Sequence, residues 1–333
     1  MLLVKPYLGC NRQCIYCHQA DYRAENKTEM DYDIQAITDS MKENLNGNRL
    51  VCLHGGEPLM LPKTDIEKIL QTGHRLTGRT SIQTNAFLLD DDHIKIFKRY
   101  STSVGISYDG FGDLNSYRMT SKESDNIWDT MKKLRENNLN VGIITVVSKA
   151  NAGSMEKLKD LCDFLLGAKE LGIHGRLNPC YHLESQPDNL FEIYQSLAAF
   201  VIMNDIQWGP FTDIWNSLRH RGMVVCVFTN CDPFHTQAAT VIKGDGSVIN
   251  CLNISFQTNF ERHDKPDNTR AEILLSKTQE QGGCKGCRWW SSCYGGCPAH
   301  GENNDWRNRT FFCNLYQGIF GIYHNMQNWM HLR

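Results

Sequence analysis

The sequence predicts an α/β protein in which a partial (β/α)6 TIM-like barrel is followed by a cysteine-rich C-terminal region. From residue 2 to about residue 180, short apolar runs alternate with stretches whose apolar residues recur at steps of three and four. From residue 224 onward this alternation is lost, and glycine, cysteine and tryptophan become dense. The length of 333 residues leaves room for about two domains.

Six short apolar runs are predicted to form the strands of the barrel: Leu2–Lys5, Arg49–His54, Thr80–Thr84, Ser103–Ser107, Val141–Val147 and Ile173–Leu177. They alternate with amphipathic stretches, which is the arrangement expected of βαβ units in a parallel sheet. Each crossover is expected to be right-handed. Because six units are fewer than the eight that close a TIM barrel, the barrel is expected to stay open.

Helices are predicted between these strands. In the first, the apolar residues between 34 and 45 recur on one face. The second is predicted to begin at Thr64-Asp65-Ile66-Glu67, which matches a capping box. Further helices are predicted at roughly 91–99, 123–137 and 154–168.

The loss of the strand–helix alternation suggests three regions. Residues 1–186 form the predicted barrel, and residues 187–223 form a helical bridge with helices at Leu190–Asn204 and Phe211–His220. Residues 224–333 contain most of the cysteines and little continuous apolar sequence. Such a region is expected to need metal for folding, because the free energy of ligand binding then contributes to folding.

Composition excludes several classes of protein. The chain has 35 Lys and Arg against 37 Asp and Glu, a net charge of −2, which argues against a dedicated nucleic-acid binder. No apolar run reaches the length of a membrane span, and the N-terminus lacks the features of a secretory signal, so a cytoplasmic protein is expected. In that compartment, 14 cysteines indicate metal ligands rather than disulfides.

The first cysteine group lies directly after the first predicted strand. Cys10, Cys14 and Cys17 have the spacing C-x3-C-x2-C. A zinc loop is one interpretation, but a structural zinc site needs four protein ligands and no fourth lies at a zinc-finger spacing. Three cysteines on a cubane iron–sulfur cluster would leave one iron open to another ligand. This spacing, with Tyr16 before the last cysteine, resembles that of the radical S-adenosylmethionine (radical SAM) superfamily.

Motifs at other strand ends agree with this resemblance, and in such barrels the chemistry lies at the carboxyl ends of the strands. Gly55-Gly56-Glu57-Pro58 follows the second strand and resembles the GGEP motif of the superfamily, although a simple glycine turn would also fit. The resemblance implies that Gly55, Gly56 and Glu57 bind the methionyl amino group of S-adenosylmethionine (AdoMet). It further implies that Asn85 and Ser107 face its ribose and carboxylate, and that Tyr16 belongs to the same cofactor site.

The C-terminal cysteines form a second pattern. It comprises C-x14-G-x4-C from Cys231 to Cys251, C-x2-C-x5-C-x3-C from Cys284 to Cys297, and a later Cys313. This pattern resembles the SPASM domain, an extension of peptide- and protein-modifying radical SAM enzymes that carries two auxiliary [4Fe–4S] clusters. Cys226 supplies an eighth thiol, and eight thiols divide into two complete sets of four. Zinc sites remain an alternative for this region.

The resemblance to sulfatase-maturing members implies the two ligand sets. The inner auxiliary cluster would be held by Cys226, Cys231, Cys251 and Cys297, and the outer one by Cys284, Cys287, Cys293 and Cys313. With the AdoMet-binding cluster, three [4Fe–4S] clusters are expected. An electron donor such as flavodoxin or ferredoxin is the implied partner.

The implied activity is reductive cleavage of AdoMet to a 5′-deoxyadenosyl radical, which abstracts a hydrogen atom from the substrate. A ribosomally made peptide that is oxidised, cross-linked or epimerised is the leading hypothesis. The same chemistry on a sugar, an aminocyclitol or a nucleoside is the alternative. A zinc-binding interaction module without catalytic activity is a third hypothesis, and neither a nucleic acid nor a membrane is expected as a partner.

Two features of this chain differ from the enzymes that it resembles, and they limit which functions the resemblance implies. Sulfatase-maturing enzymes place an aspartate base where this chain has Leu252, so formylglycine formation by that mechanism is not expected. Asp109 is an alternative carboxylate candidate. Cys180, after the sixth strand, is a candidate hydrogen-atom donor, and a role in packing alone is the favoured alternative for it. The first strand begins at residue 2, so the N-terminal winged-helix module with which many relatives bind a leader peptide is not expected.

Overall fold

The computed structural model divides the chain into two compact units. The first comprises Met1–Asp188 and Thr240–Ile249, and the second comprises Asn189–Ala239 and Asn250–Arg333. The structure describes residues 1–17, 19–20, 30–219, 226–235, 239–249, 251 and 266–331. Within these residues, no helix combines the length and the apolar character that crossing a bilayer requires.

The first unit is built on a sheet whose strands, in chain order, are β1 Leu2–Lys5, β2 Val51–Leu53, β3 Thr80–Thr84, β4 Thr102–Ser107, β5 Val141–Val147, β6 His174–Pro179, β8 Thr240–Lys243 and β9 Val248–Ile249. Their spatial order is β6-β5-β4-β3-β2-β1-β8-β9. Strands β1 to β6 are parallel to their neighbours. The predicted partial (β/α)6 barrel is therefore confirmed, with β2 shorter and β6 two residues longer at its end than the sequence suggested.

Helices of the first unit connect these strands: α1 Ile34–Glu43, α2 Lys63–Thr77, α3 Asp91–Arg99, α4 Ser121–Glu136, α5 Lys149–Ala152 and α6 Met155–Glu170. Most begin after a polar residue whose side chain accepts backbone hydrogen bonds from the first turn, as Asp33 does for α1 and Thr120 for α4. The capping box predicted at Thr64 is wrong. Helix α2 begins one residue earlier, after Pro62, and has no side-chain cap.

The parallel register places the carboxyl ends of the strands at one edge of the sheet. Leu53 of β2 lies opposite Ile82 of β3, and Thr84 of β3 lies opposite Ile106 of β4. Buried and partly exposed residues alternate along β3, β4 and β5, so one face of each strand forms the core. The loops that follow β1, β2, β3 and β4 therefore converge, and these loops carry the candidate site.

Strand β8 was not expected, because the strand–helix alternation ends before it. Thr240–Lys243 pairs in parallel with β1, and β9 returns antiparallel to β8. The carboxylate of Asp245 stabilises the intervening turn by accepting hydrogen bonds from the backbone and hydroxyl of Ser247. Residues 240–249 thus belong to the first unit, whereas the sequence suggested a single C-terminal region from 224 to 333.

The second unit contains strand β7, Trp208–Gly209, and five helices within the described residues: α7 Leu190–Met203, α8 Phe211–Leu218, α9 Arg270–Ser276, α10 Trp290–Cys293 and α11 Cys313–His331. Helix α11 contacts both α7 and α8. Phe228 packs edge-on against Phe320, whose ring stacks on Trp289 with centroids 5.6 Å apart. This aromatic core supports α11, whose first residue is Cys313.

Candidate functional site

The first cysteine group lies in the loop after β1, where the sulfur atoms of Cys10 and Cys14 face nitrogen donors. The backbone N–H of Arg12 lies 3.4 Å from Sγ of Cys10, and Nδ2 of Asn85 lies 3.7 Å from the same sulfur. Nη1 of Arg118 lies 3.8 Å from Sγ of Cys14. Positive charge and N–H donors favour the thiolate form of cysteine, which is the form that binds metal.

Arg12 fixes this loop to the rest of the barrel. Its guanidinium forms two hydrogen bonds of 3.0 Å with the carboxylate of Glu123 in α4 and one with the backbone oxygen of Arg118. The plane also lies 3.9 Å above the ring of Phe87. The hydrogen bond from Arg12 lowers the pKa of Glu123 to about 2. Sequence reasoning missed Arg12, although a charged residue between two ligand cysteines is a signal that could have found it.

The two glycines after β2 allow the turn to touch the cysteine loop. A Cβ atom on Gly56 would lie 1.9 Å from the backbone oxygen of Gly9, and one on Gly55 would lie 2.4 Å from that of Tyr7. Two hydrogen bonds join the turn to the segment before Cys10: Gly56 N–H donates to the backbone oxygen of Tyr7, and Glu57 N–H donates to that of Gly9. The glycines are therefore required by close backbone packing against the start of the cysteine loop.

Glu57 joins two strand ends. Its carboxylate is 1% exposed and accepts hydrogen bonds from the backbone of Leu59, the hydroxyl of Thr84 and the backbone of Asn85. Burial raises the pKa of Glu57, while these three donors oppose the rise. The arrangement fixes the end of β3 against the turn that follows β2.

Asn85 and Ser107 lie at the ends of β3 and β4, where the sequence predicted a cofactor site. Asn85 donates to Oδ1 of Asn11 in the cysteine loop at 2.8 Å and accepts from the backbone of Phe87. The hydroxyl of Ser107 accepts from Nε2 of Gln83 at 3.0 Å. Both side chains thus lie at the same edge of the sheet as the cysteine loop.

Tyr16, Asp109 and Arg118 form a buried network next to the first cysteine group. The Tyr16 hydroxyl donates to Oδ2 of Asp109, Oδ1 accepts from the backbone N–H of Val146, and Nε of Arg118 lies 3.1 Å from Oδ2. Burial raises the pKa of Tyr16 well above its usual value, so the phenol stays a neutral donor. Nothing local in the sequence marked Arg118, which lies between strands.

Cys180 follows β6, at the carboxyl edge of the sheet, and is 1% exposed. Its thiol donates to the backbone oxygen of His182 at 3.6 Å, and burial raises its pKa to about 11. The neighbouring Tyr181 donates from its hydroxyl to the backbone oxygen of Tyr16 at 3.1 Å. A neutral S–H group therefore lies on a segment that contacts the cysteine loop.

The second unit brings the C-terminal cysteines into two groups. One cavity is lined by Cys284, Cys287, Cys293 and Cys313. The pKa of Cys284 and that of Cys293 are each raised to about 12, first by burial and then by the neighbouring thiols of this group. Burial also raises the pKa of Cys297, and there the neighbouring thiols are Cys226, Cys251 and Cys231.

A zinc ion and a cubane iron–sulfur cluster require different spacings of their cysteine ligands. Within the part of the chain that the structure describes, no three Cys, His, Asp or Glu side chains lie close enough together to bind one metal ion. A tetrahedral zinc site with bonds of about 2.3 Å would bring thiolates to within about 4 Å of one another. A cubane separates its cysteine ligands more widely, because each thiolate binds a different iron atom.

The fold and the site define the class of the protein. The family profile of the Radical SAM superfamily matches residues 4–162, the segment that holds the three-cysteine loop and the strand ends around it. Residues 4–162 thus form a radical SAM domain, and domains of this superfamily work with an iron–sulfur cluster and AdoMet.

Its relatives include the anaerobic sulfatase-maturating enzymes. The cysteine-type enzyme of Clostridium novyi (strain NT) is 23% identical over 360 residues, covering 96% of this chain and 94% of the relative. The serine-type enzyme of Klebsiella aerogenes is 26% identical over 339 residues, covering 90% and 80%. The solved structure of native anSMEcpe with bound AdoMet and Cp18Cys peptide has the same fold, with a TM-score of 0.73, 20% identity and 99% coverage of both chains.

Proposed function

We propose that this enzyme modifies a residue of a peptide or protein substrate by hydrogen-atom abstraction. The observation that carries the proposal is that the three-cysteine loop occurs together with two further groups of cysteines, in a chain related over 96% of its length to an enzyme named for maturing sulfatases. Oxidation, cross-linking and epimerisation of the peptide are the candidate outcomes.

The residues of the first unit would hold the reactive cofactors. Cys10, Cys14 and Cys17 would bind the first [4Fe–4S] cluster, while the turn at Gly55–Glu57 and the side chains of Asn85 and Ser107 would bind AdoMet. Bound there, the cluster and AdoMet would supply the radical chemistry needed to remove a hydrogen atom from the substrate. The buried network around Asp109 would keep the cysteine loop in position and exclude water from it.

Asp109 is better suited to positioning than to taking a proton from the substrate. Its two oxygens already accept hydrogen bonds from Tyr16 and Val146, and Arg118 pairs with it. Sulfatase-maturing enzymes have an aspartate at the position of Leu252 in this chain. Leucine cannot act as a base, and Leu252 lies outside the described residues. These two features support a product other than formylglycine.

The eight C-terminal thiols would bind two auxiliary [4Fe–4S] clusters, in the sets Cys226, Cys231, Cys251, Cys297 and Cys284, Cys287, Cys293, Cys313. Complete cysteine ligation leaves no open iron, which favours electron transfer over substrate binding. An external donor such as flavodoxin or ferredoxin would supply electrons to the enzyme. Anaerobic reconstitution should then yield about 12 Fe per chain, and about 4 would contradict the auxiliary pair.

Mass spectrometry of candidate peptides after anaerobic turnover tests the proposed function. Loss of two hydrogen atoms would indicate oxidation or a cross-link. A mass that is unchanged after turnover in ordinary water but includes one deuterium after turnover in deuterated water would indicate epimerisation. The matched control is the protein with Cys10, Cys14 and Cys17 replaced by alanine. Modification of a sugar or nucleoside, with every peptide left unmodified, would overturn the proposal.

A further inference from the structure

Arg270 is a buried cation in the second unit. Its side chain is 1% exposed, and it is the first residue of helix α9. Within the described residues, no carboxylate lies within ion-pair distance of its guanidinium. The nearby carboxylate of Asp232 accepts a hydrogen bond from the backbone N–H of Arg270 instead, at 2.6 Å.

The hydrogen bonds that the guanidinium forms with described residues all go to backbone carbonyls. Nε donates to Trp306 and Nη2 to Asn308, at 2.8 and 3.0 Å. The remaining bonds reach the carbonyls of Tyr294, Gly295 and Gly296. Neutral carbonyls satisfy the donors, but they do not cancel the positive charge.

The three consecutive carbonyls belong to the segment that joins the two cysteine groups. Tyr294, Gly295 and Gly296 all have left-handed backbone conformations, with φ of 52°, 77° and 71°. They separate Cys293, in the group around the cavity, from Cys297, in the other group. Arg270 therefore forms hydrogen bonds with the short segment, residues 294–296, that connects the two cysteine groups in sequence.

The cation also lies close to thiols of both groups. Burial lowers the pKa of Arg270, and nearby thiols oppose this fall. They belong to both groups: Cys297 and Cys231 in one, and Cys284 and Cys293 in the other. A Cβ atom on Gly295 would lie 3.5 Å from Sγ of Cys284 and 3.7 Å from Nη2 of Arg270. The guanidinium and that sulfur thus approach the same glycine.

We propose that Arg270 acts on both auxiliary clusters. Its buried positive charge stabilises the reduced form of each cluster. A cubane bound by four thiolates carries a net negative charge that increases when it accepts an electron. A nearby cation in a medium of low dielectric constant favours that added charge. The inference rests on the proposed auxiliary clusters, but it concerns their potentials rather than the substrate.

The test compares reduction potentials measured by EPR-monitored titration of the reconstituted whole chain. Replacing Arg270 by glutamine (R270Q) removes the charge and keeps hydrogen-bond donors. The signals of both auxiliary clusters should shift to more negative potentials, while that of the Cys10–Cys17 cluster stays unchanged. Replacement by lysine (R270K) should keep both potentials close to those of the unaltered protein. The control is R307Q, at an arginine that is 48% exposed and paired with Asp305, which should shift no potential.

The possible outcomes distinguish an effect of the positive charge of Arg270 from an effect of its hydrogen bonds to the backbone carbonyls. Auxiliary potentials that are unchanged in R270Q would overturn the inference. If R270Q loses auxiliary iron but R270K retains it, positive charge is required for cluster binding. The inference then stands only if the auxiliary potentials of R270K equal those of the unaltered protein, and it fails if they differ. If both lose auxiliary iron while circular dichroism shows a folded chain, Arg270 only anchors carbonyls and the inference fails. An unaltered protein that binds about 4 Fe would instead contradict the proposed auxiliary clusters.

Discussion

The Nε atom of Arg118 lies 3.1 Å from Oδ2 of Asp109 in the interior of the first unit, where the two side chains are 12% and 1% exposed. Burial alone would lower the pKa of Arg118, but the Asp109 carboxylate raises it above its usual value. The pair links the end of β4 to the sulfur of Cys14, which the same guanidinium approaches. The geometry of the first cysteine group thus depends on a residue more than a hundred positions away.

Replacing Asp109 by asparagine should destabilise the protein by about 3 kcal/mol, because it leaves the buried guanidinium without its counter-charge. The free energy of unfolding in urea, measured anaerobically on the reconstituted protein, checks this. The control is D129N, at an exposed carboxylate paired with Lys132, which should cost less than about 1 kcal/mol. A stable D109N protein that cleaves AdoMet but forms no product would instead identify Asp109 as a base.

Replacing Cys10, Cys14 and Cys17 together by alanine should abolish 5′-deoxyadenosine formation and leave about 8 Fe per chain, because of the three proposed clusters only this one would have a free coordination site. Chromatography of the nucleoside and an iron assay measure the two effects. The C162A control removes a half-buried thiol of helix α6, and it should change neither. Continued AdoMet cleavage by the triple variant would show that another group activates AdoMet.

Replacing Gly56 by alanine should displace the cysteine loop, because the new Cβ would lie 1.9 Å from the backbone oxygen of Gly9. The expected cost is about 1–3 kcal/mol in the free energy of unfolding, with loss of iron from the first cluster. The matched control is G142A in β5, where the nearest atom to a new Cβ is 3.7 Å away. Equal stability and iron content in the two variants would contradict the tight contact.

If Cys180 donates a hydrogen atom in an epimerisation, replacing it by alanine should leave AdoMet cleavage intact and prevent the transfer of solvent deuterium to the product. The donor must be a thiol, and burial raises its pKa from 9.0 to about 11. The folded chain binds the thiol proton of Cys180 more tightly than the unfolded chain does. The contribution of this thiol to the stability of the fold is therefore complete below about pH 9, and it is lost as the pH rises through about 11. Deuterium transfer by the unaltered enzyme should therefore not fall between pH 7 and 9 through loss of this proton.

Mass spectrometry of the product formed in deuterated buffer measures the transfer. C52A, which removes another buried thiol of the first unit, should transfer deuterium as the unaltered enzyme does. If C180A also transfers deuterium normally, Cys180 contributes only to packing.

Local patterns were sufficient to predict the strands of the barrel. Leu2–Lys5, Thr80–Thr84 and Val141–Val147 have the predicted bounds, because alternating apolar residues specify one buried face within a few positions. Strand β8 was missed since its pairing with β1 joins segments more than two hundred residues apart. The start of α2 was misjudged because the helix begins at Lys63, directly after Pro62, without a polar side-chain cap.

The sequence alone determined the fold class and the cofactor chemistry, because cysteine spacing and strand–helix periodicity are properties of neighbouring residues. Only the tertiary structure decided which charges surround the sulfur atoms. Arg118 and Arg270 carry no local signal of their role, since a buried cation is defined by the distant carbonyls, carboxylates and thiols that the fold brings to it.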